Sequence, residues 1–402
     1  MRTKFLISTI FLSMCMCFVF TATSLKALSP LVVKVFEKKT SEQHEPQISI
    51  SVGIKDQAPF FTPEYMTLDN IVELLVRFYE ITFDKDTIVI ETNSIQLSTH
   101  LALKYLSRLK CKRPLFVFDL DRTLIIPEGL GPDDFFPELM RKYEKKARDM
   151  DRETSVQFAV QGVSASLAST QMIPVESVTV PVINWLQHPK DDTSFFMIPA
   201  PVLPYDLRKQ FNNIATIALT SRTPGQIDSS RDLMVEGTLQ QLSSLDLNFS
   251  EGCPRFVHPI KNGKLVNGVY FLKAQRDKGT ALADMLGKIR HSEKPDCLVF
   301  FDDSMQHVLD FAVEAKSHKI PCLAFYYTAA QDRTCSIPRS EIRRRYVNIA
   351  LTANPEADHE IAALLAKCAA ELIDHSPDIS ACTSPTMQRS VSVADMTYFR
   401  RR

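Results

Sequence analysis

The sequence predicts an α/β protein whose central sheet is parallel and is covered by helices on both faces. Four apolar runs have the length and composition of buried strands: 115–118, 214–219, 298–301 and 322–327. These runs end in polar clusters and are followed by helical patterns. Continuous apolar strands that alternate with helices are typical of a sheet buried on both sides.

Length and charge exclude several classes of protein. The chain has 402 residues, which is enough for two or three folding units and for a large core. It carries 47 Lys plus Arg and 47 Asp plus Glu, so its formal net charge is zero. We therefore expect no nucleic-acid partner, because a dedicated nucleic-acid binder is basic overall or has a basic block. An acidic disordered chain is excluded on the same ground.

The amino terminus has the pattern of a secretory signal peptide. Arg2 and Lys4 precede an apolar run over 5–20, and small residues follow at 21–24. We expect cleavage near Ser24 and export of the protein, either to the periplasm or into the medium. The alternative is an uncleaved anchor, although the run is slightly short for a membrane span. No later stretch reaches about 18 apolar residues, so no stable membrane span is expected after cleavage.

Pattern changes along the chain suggest how it is organised. We divide it into a signal peptide (1–24), an N-terminal extension (25–110), a core (111–350) and a C-terminal helix with a tail (351–402). The extension contains strand-like runs over 31–36 and 48–52 and helix-like runs over 68–79 and 101–109. A proline-containing, mostly helical insert over about 128–204 interrupts the core after its first strand. We expect this insert to cover part of the core as a cap.

Cysteine spacing identifies neither a disulfide framework nor a zinc site. Seven cysteines remain after the signal peptide, an odd number without CxxC spacing. Cys297 and Cys322 lie in apolar runs, so we expect both to be buried thiols.

The strongest chemical signal is the segment from Phe116 to Leu124. An apolar strand ends at Asp119, a second carboxylate follows at Asp121, and a hydroxyl follows at Thr123. Functional crevices of open α/β sheets lie at the carboxyl ends of the strands. Two carboxylates so close repel each other unless a cation or a shared proton intervenes. The pattern therefore indicates a divalent metal with an acid for proton transfer; the structural alternative is an Asp-rich turn.

Three later segments carry residues of complementary chemistry. One strand run ends at Thr220, and its alternative is a plain strand-to-helix turn. Lys278 opens a helix, where a cation is unfavourable unless an anion lies nearby; an exposed lysine is the alternative, and Lys273 is a competitor. Asp302 and Asp303 end another strand, where paired acids suit Mg²⁺ and where a simple capping turn is the alternative.

In this order, the four segments resemble the four motifs of the haloacid-dehalogenase-like (HAD) superfamily. The resemblance covers roughly residues 113–330 without the insert, and its first motif is the most specific. It implies a three-layer, Rossmann-like parallel sheet. It also implies that Asp119 is a nucleophile that forms an aspartyl-phosphate, and that Asp121 is the general acid and base. Thr220 and Lys278 would then hold the phosphoryl oxygens.

The resemblance also implies a Mg²⁺ cofactor. Its ligands would be the Asp119 carboxylate, the Asp121 backbone carbonyl and Asp302, with Asp303 as a further or supporting ligand. Family members that dehalogenate lack an acid at the position of Asp121. A phosphatase acting on a small phosphorylated substrate is therefore the implied function, with a phosphotransferase as the alternative.

Two further readings stay open. The layout is similar to an uncharacterised group of exported HAD-like proteins and, less closely, to secreted bacterial acid phosphatases, from whose motifs Thr220-Ser221-Arg222 and Asp302-Asp303 depart. The rival function is a catalytically quiet HAD-fold binding or effector protein with a protein partner. Arg122 and Arg222 flank the motifs, where they could bind substrate anions or form surface ion pairs.

Overall fold

The computed structural model describes residues 31–38, 47–54, 68–82, 88–128, 171–187, 211, 214–222, 224, 233–257, 259–273 and 277–332. The strands are β1 (Leu31–Lys38), β2 (Gln47–Ile54), β3 (Ile88–Thr92), β4 (Pro114–Phe118), β5 (Ile125–Pro127), β6 (Met172–Pro174), β7 (Ala215–Thr220), β8 (Gly263–Val266), β9 (Val269–Leu272), β10 (Cys297–Asp302) and β11 (Cys322–Tyr327). The helices are α1 (Leu68–Thr82), α2 (Ile95–Arg108), α3 (Thr179–Gln187), α4 (Leu233–Ser244), α5 (Lys278–Lys288) and α6 (Met305–Ser317).

A nine-stranded, mostly parallel sheet forms the centre of the described structure. Its strand order is β2-β1-β3-β11-β10-β4-β7-β9-β8. The pairs β1–β2 and β8–β9 at the two edges are antiparallel, and all pairs between them are parallel. The prediction of an α/β fold with a parallel sheet is therefore confirmed, and the four predicted core strands correspond to β4, β7, β10 and β11.

Helices cover both faces of the sheet. In β4, Phe116 and Phe118 belong to one cluster of buried side chains, whereas Leu115 and Val117 belong to a second cluster. The first cluster includes residues of α1, α2, α3 and α4, and the second includes residues of α5 and α6. Because successive side chains of a strand point to opposite faces, both faces are buried. This explains why the core strands are continuously apolar.

The N-terminal strands extend the same sheet. Two of the runs in the predicted N-terminal extension form β1 and β2, and β1 pairs in parallel with β3. The expected helix over 68–79 corresponds to α1. The second expected helix, over 101–109, is part of α2, which begins earlier because the Ser94 hydroxyl accepts a hydrogen bond from the Leu97 backbone N–H at 3.3 Å.

A small hairpin of β5 and β6 follows the first motif. The two strands pair antiparallel, and Glu128 N donates to Gln171 O at 2.9 Å. Glu128 and Gln171, which are far apart in sequence, are therefore neighbours in the structure. Of the predicted insert, the structure describes 128 and 171–187, and the latter segment includes the buried Trp185 in the first core cluster.

Cys297 forms a disulfide with Cys111, so the expectation that Cys297 is a buried thiol is wrong. The two Cα atoms lie 6.2 Å apart although the residues are 186 positions apart in sequence. Cys297 begins β10, next to the start of β4, and Cys111 lies just before β4. The sequence could not show this pairing because the parallel register that brings the residues together is a long-range feature. Cys322 is a free thiol, as predicted, although it is partly exposed.

Several predictions lie outside the described residues. These are the signal peptide over 1–24, most of the insert and the C-terminal helix with its tail. None of the helices in the described part of the chain has the length and hydropathy that a membrane span requires.

Candidate active site

The candidate site lies where the carboxyl ends of β4 and β10 meet. The two strands are neighbours in the sheet, but the chain continues from β4 towards β7 and from β10 towards β11, on the opposite side. Such a reversal of direction opens a crevice at the carboxyl ends of the strands. Asp119 directly follows β4 and Asp302 ends β10, so both acids lie at this switch point.

Asp119 is held by backbone pairing and is nearly buried. Its N–H donates to Phe301 O at 2.9 Å, which continues the ladder between the two strands. Its side chain contacts Lys278, and its Oδ2 accepts a hydrogen bond from Thr123 Oγ1 at 3.4 Å. Burial raises the pKa of Asp119 to about 7, with Lys278 acting to lower it and Asp302 acting to raise it.

Lys278 connects the ends of three strands. Its Nζ contacts Asp119 Oδ1, lies 2.8 Å from Asp302 Oδ2 and donates to Leu219 O of β7 at 2.8 Å. The alternative of an exposed lysine is wrong, because Lys278 has 0% exposure. Burial acts to lower the pKa of Lys278, but the two carboxylates outweigh burial and raise it.

The start of α5 explains how the chain places a lysine there. Asp277 caps the helix, since its Oδ1 accepts from Thr280 N at 2.6 Å. Gly279 lets α5 approach α6 closely, because a Cβ at this position would lie 2.7 Å from Asp310 O. The competing candidate, Lys273, is exposed, and its Nζ donates to Lys261 O at 2.9 Å.

Asp302 is oriented by the first turn of α6. Its Oδ1 accepts from Ser304 N at 2.8 Å and lies 3.2 Å from His307 Nδ1. Burial acts to raise the pKa of Asp302, but Lys278 and His307 outweigh burial and hold it below its usual value. His307 thus contacts a candidate site residue, although its position one turn into a helix is more typical of a solvated or capping residue. Its place five residues after Asp302 is the signal in the sequence for this contact.

Asp119, Asp302 and Asp303 form a group that could hold a metal ion. Each offers a carboxylate oxygen, and these oxygens lie within 4.8 Å of one another. Asp303 is half-buried, and burial together with Asp302 and Asp119 raises its pKa well above the usual value. Buried Asp302 Oδ2 lies 2.8 Å from Lys278 Nζ. An all-oxygen donor set of three carboxylates beside a single lysine fits a hard divalent cation such as Mg²⁺.

The Asp121 carboxylate lies apart from this group and pairs with Arg222. Arg222 Nε donates to Asp121 Oδ2 at 2.9 Å, and Nη2 donates to Oδ1 at 2.7 Å. Arg222 is buried, so the alternative of a surface ion pair is wrong for this residue. Arg122, which follows Asp121 in the sequence, has a left-handed backbone with φ of 61°, and its N–H donates to Ile125 O at 2.8 Å. This tight turn places Asp121 beside the end of β7.

Thr220, the last residue of β7, is buried next to the carbonyl that Lys278 contacts. Its Oγ1 accepts a hydrogen bond from Arg222 N at 3.1 Å. The structure therefore brings Asp119, Lys278 and Asp302 into direct contact, places Asp303 beside them, and aligns Thr220 and Asp121 at the adjoining strand ends. Sequence reasoning did not identify Thr238 and Gln241 of α4, which bind Arg222, because no local pattern marks them.

Comparison with known proteins yields one family. A family model described as a protein of unknown function (DUF2608) matches residues 207–351. The matched region contains the candidate residues from Thr220 to Asp303, but it begins after Asp119 and Asp121. No curated protein and no solved structure matches the chain.

Proposed function

We propose that the protein is an exported, Mg²⁺-dependent phosphomonoester hydrolase of the HAD type that acts through Asp119. The observation that carries the proposal is the buried contact of Lys278 with Asp119 and Asp302 at the topological switch point, with Asp303 beside them. A structural ion pair would need one carboxylate for one lysine. The additional carboxylates are explained if they bind a cation and if one of them, Asp119, reacts with a phosphoryl group.

Each candidate residue then has one role in the reaction. An oxygen of Asp119 attacks phosphorus, the bond from phosphorus to the leaving oxygen breaks, and Asp121 gives a proton to that oxygen. In the second half, Asp121 takes a proton from water as the water oxygen attacks the aspartyl-phosphate, which releases phosphate and restores the Asp119 carboxylate. A carboxylate nucleophile thus divides one difficult step into two easier ones.

The other groups provide charge and orientation. Lys278 and the Thr220 hydroxyl would hold phosphoryl oxygens, since phosphoryl transfer depends chiefly on positioning and charge stabilisation. Asp119, Asp302, Asp303 and the Asp121 carbonyl would hold Mg²⁺. When bound, the ion neutralises negative charge on the phosphoryl group and the carboxylates.

Two further features support the remaining parts of the proposal. The predicted insert over about 128–204 begins at the end of β5, which starts four residues after Asp121. Its closeness in sequence to the candidate general acid supports a role as the cap that selects a small phosphorylated substrate. The disulfide between Cys111 and Cys297 supports export, because disulfides form and persist in oxidising compartments.

The test is hydrolysis of a generic phosphomonoester with and without Mg²⁺. We expect Mg²⁺-dependent turnover by the wild type and loss of turnover in Asp119→Asn. The matched control is Asp246→Asn, which makes the same change at an exposed position. Undiminished activity in Asp119→Asn would refute the mechanism. No wild-type turnover across a broad panel of phosphorylated metabolites would favour the rival function, a catalytically quiet binding or effector protein.

A further inference from the structure

We propose that Arg222 is a positioning residue that fixes the carboxylate of Asp121 for proton transfer. This inference rests on the proposed function and adds a residue to which neither the motif resemblance nor the family match gives a role. It concerns how the general acid is held, because the described contacts of the Asp121 carboxylate are those with Arg222.

The contact between Arg222 and Asp121 is bidentate, and the arginine is much more deeply buried than the aspartate. Arg222 Nε and Nη2 lie 2.9 and 2.7 Å from the two oxygens of Asp121. The Arg222 side chain is 2% exposed, whereas that of Asp121 is 29% exposed. A planar guanidinium fixes both the position and the plane of a carboxylate, which a lysine cannot do. The carboxylate is thereby held from its buried side, and its exposed side remains available to a leaving group.

The Arg222 guanidinium is in turn held by hydrogen bonds to helix α4. Its Nη1 donates to Thr238 Oγ1 at 2.8 Å and to Gln241 Oε1 at 2.7 Å. Thr238 and Gln241 are three residues apart on α4 and therefore lie on the same side of that helix. Both are buried. Helix α4 thus anchors the arginine, and the arginine anchors Asp121.

These contacts argue against the other role considered for Arg222, the binding of a substrate anion. The three guanidinium nitrogens each donate to a protein oxygen, and the residue is 5% exposed. A substrate phosphate could bind the Nε–Nη2 edge of the guanidinium only by displacing Asp121. Positioning is therefore the role that the geometry favours.

The consequence is a dependence on the leaving group. An alkyl alkoxide needs a proton as it departs, whereas a nitrophenolate departs readily without one, so only the first reports on the general acid. We expect Arg222→Lys to lower kcat/KM for an alkyl phosphomonoester by on the order of 10- to 100-fold more than for nitrophenyl phosphate, a part of the typical general acid contribution. A merely structural role would lower both values by the same factor.

The experiment measures kcat/KM for glycerol phosphate and nitrophenyl phosphate in wild type, Arg222→Lys and Thr238→Val, with thermal unfolding as the folding control. Thr238→Val removes one anchor of the guanidinium and keeps its shape; it serves if Arg222→Lys does not fold, and we expect a smaller loss with the same substrate selectivity. Equal losses on both substrates, or no loss in a folded variant, would overturn the role of Arg222 and leave the proposed function standing. A wild type that hydrolyses neither substrate would overturn both.

Discussion

Replacing Lys278 by Met tests whether the lysine neutralises the crowded carboxylates. In the wild type, one ammonium group lies between the Asp119 and Asp302 carboxylates, whose side chains are 8% and 0% exposed. Met has nearly the same length and no charge, so the variant leaves the two acids facing each other in a buried site. Removing one partner of a buried ion pair costs about 3–5 kcal/mol.

That cost predicts a measurable loss of thermal stability. For a large domain, 1 kcal/mol corresponds to a Tm change of about 2 °C, so we expect a decrease of roughly 6–10 °C. The measurement is thermal unfolding by circular dichroism in EDTA, which removes any cation that could replace the ammonium charge. The free energy of unfolding is about 5–15 kcal/mol for typical proteins, so the variant should still fold.

The loss should depend on pH in a defined direction. Burial already raises the pKa of Asp119 to about 7, and removing the lysine raises it further, since Lys278 acts to lower it. A pKa that is higher in the folded state favours the folded state at low pH, and that advantage is lost as the pH rises through the folded pKa. The difference in Tm between wild type and variant should therefore be larger at about pH 8 than at about pH 5.

Lys273→Met is the matched control. This lysine is exposed and bonds only a backbone carbonyl in the contacts described, so its replacement should change Tm little at either pH. A Lys278→Met protein as stable as the wild type, or a loss of the same size at both pH values, would show that the lysine does not offset the carboxylates.

Three further predictions concern the metal, the helix contact and the disulfide. Mg²⁺ at about 100 times its Kd should stabilise the wild type by about 2.7 kcal/mol in thermal unfolding, and Asp303→Asn should reduce this gain because it removes one of the three carboxylates. Gly279→Ala should destabilise the protein by about 1–3 kcal/mol in urea unfolding because its Cβ would clash with a backbone oxygen of α6, whereas Gly287→Ala, with open space around its Cβ, should be neutral or stabilising. Reduction should lower the Tm of the wild type by an amount equivalent to about 2–5 kcal/mol and leave a Cys111→Ser, Cys297→Ser protein unchanged; equal effects on both proteins would show that this disulfide contributes nothing.

The central sheet could be predicted because burial on both faces leaves a local signal. The apolar run 322–327 coincides with β11, and the run 298–301 lies within β10. Each is long enough to fill the two core clusters with alternating side chains. Their order in the sheet is not local, and the pairing of β1 with β3 joins the N-terminal region to the core in a way that no short pattern shows.

One element was missed although a local signal exists. Strands β8 and β9 form a hairpin around Asn267-Gly268, whose φ values of 49° and 75° are both positive. An Asn-Gly pair between two short apolar runs is a strong indication of such a turn, because both residues tolerate left-handed backbone. The hairpin adds the edge of the sheet beside β7 and therefore supports the strand that carries Thr220.

The site was predictable as a set of residue types but not as a set of contacts. A strand end marks Asp119 and Asp302 directly, and the cost of a lysine at a helix start identifies Lys278. The roles of Arg222 and His307 depend on which side chains lie across from them, and that follows from the packing of α4 and α6. Sequence distance hides such pairs: Asp121 and Arg222 are 101 residues apart.

The net charge of the whole chain is zero, but the site contains two separate groups of charged side chains. The Asp121 carboxylate pairs with Arg222, whereas Asp119 and Asp302 contact Lys278 and Asp303 lies beside them. If ionised, the latter three acids and one lysine leave two negative charges, which is the charge that one divalent cation offsets. Without the cation, burial and the neighbouring acids raise the pKa of Asp119 to about 7 and that of Asp303 well above its usual value, which favours the retention of protons at the site. With its acids ionised and no cation bound, the site repels a phosphate dianion. The dianion is accepted once the cation is bound, so metal binding should precede substrate binding.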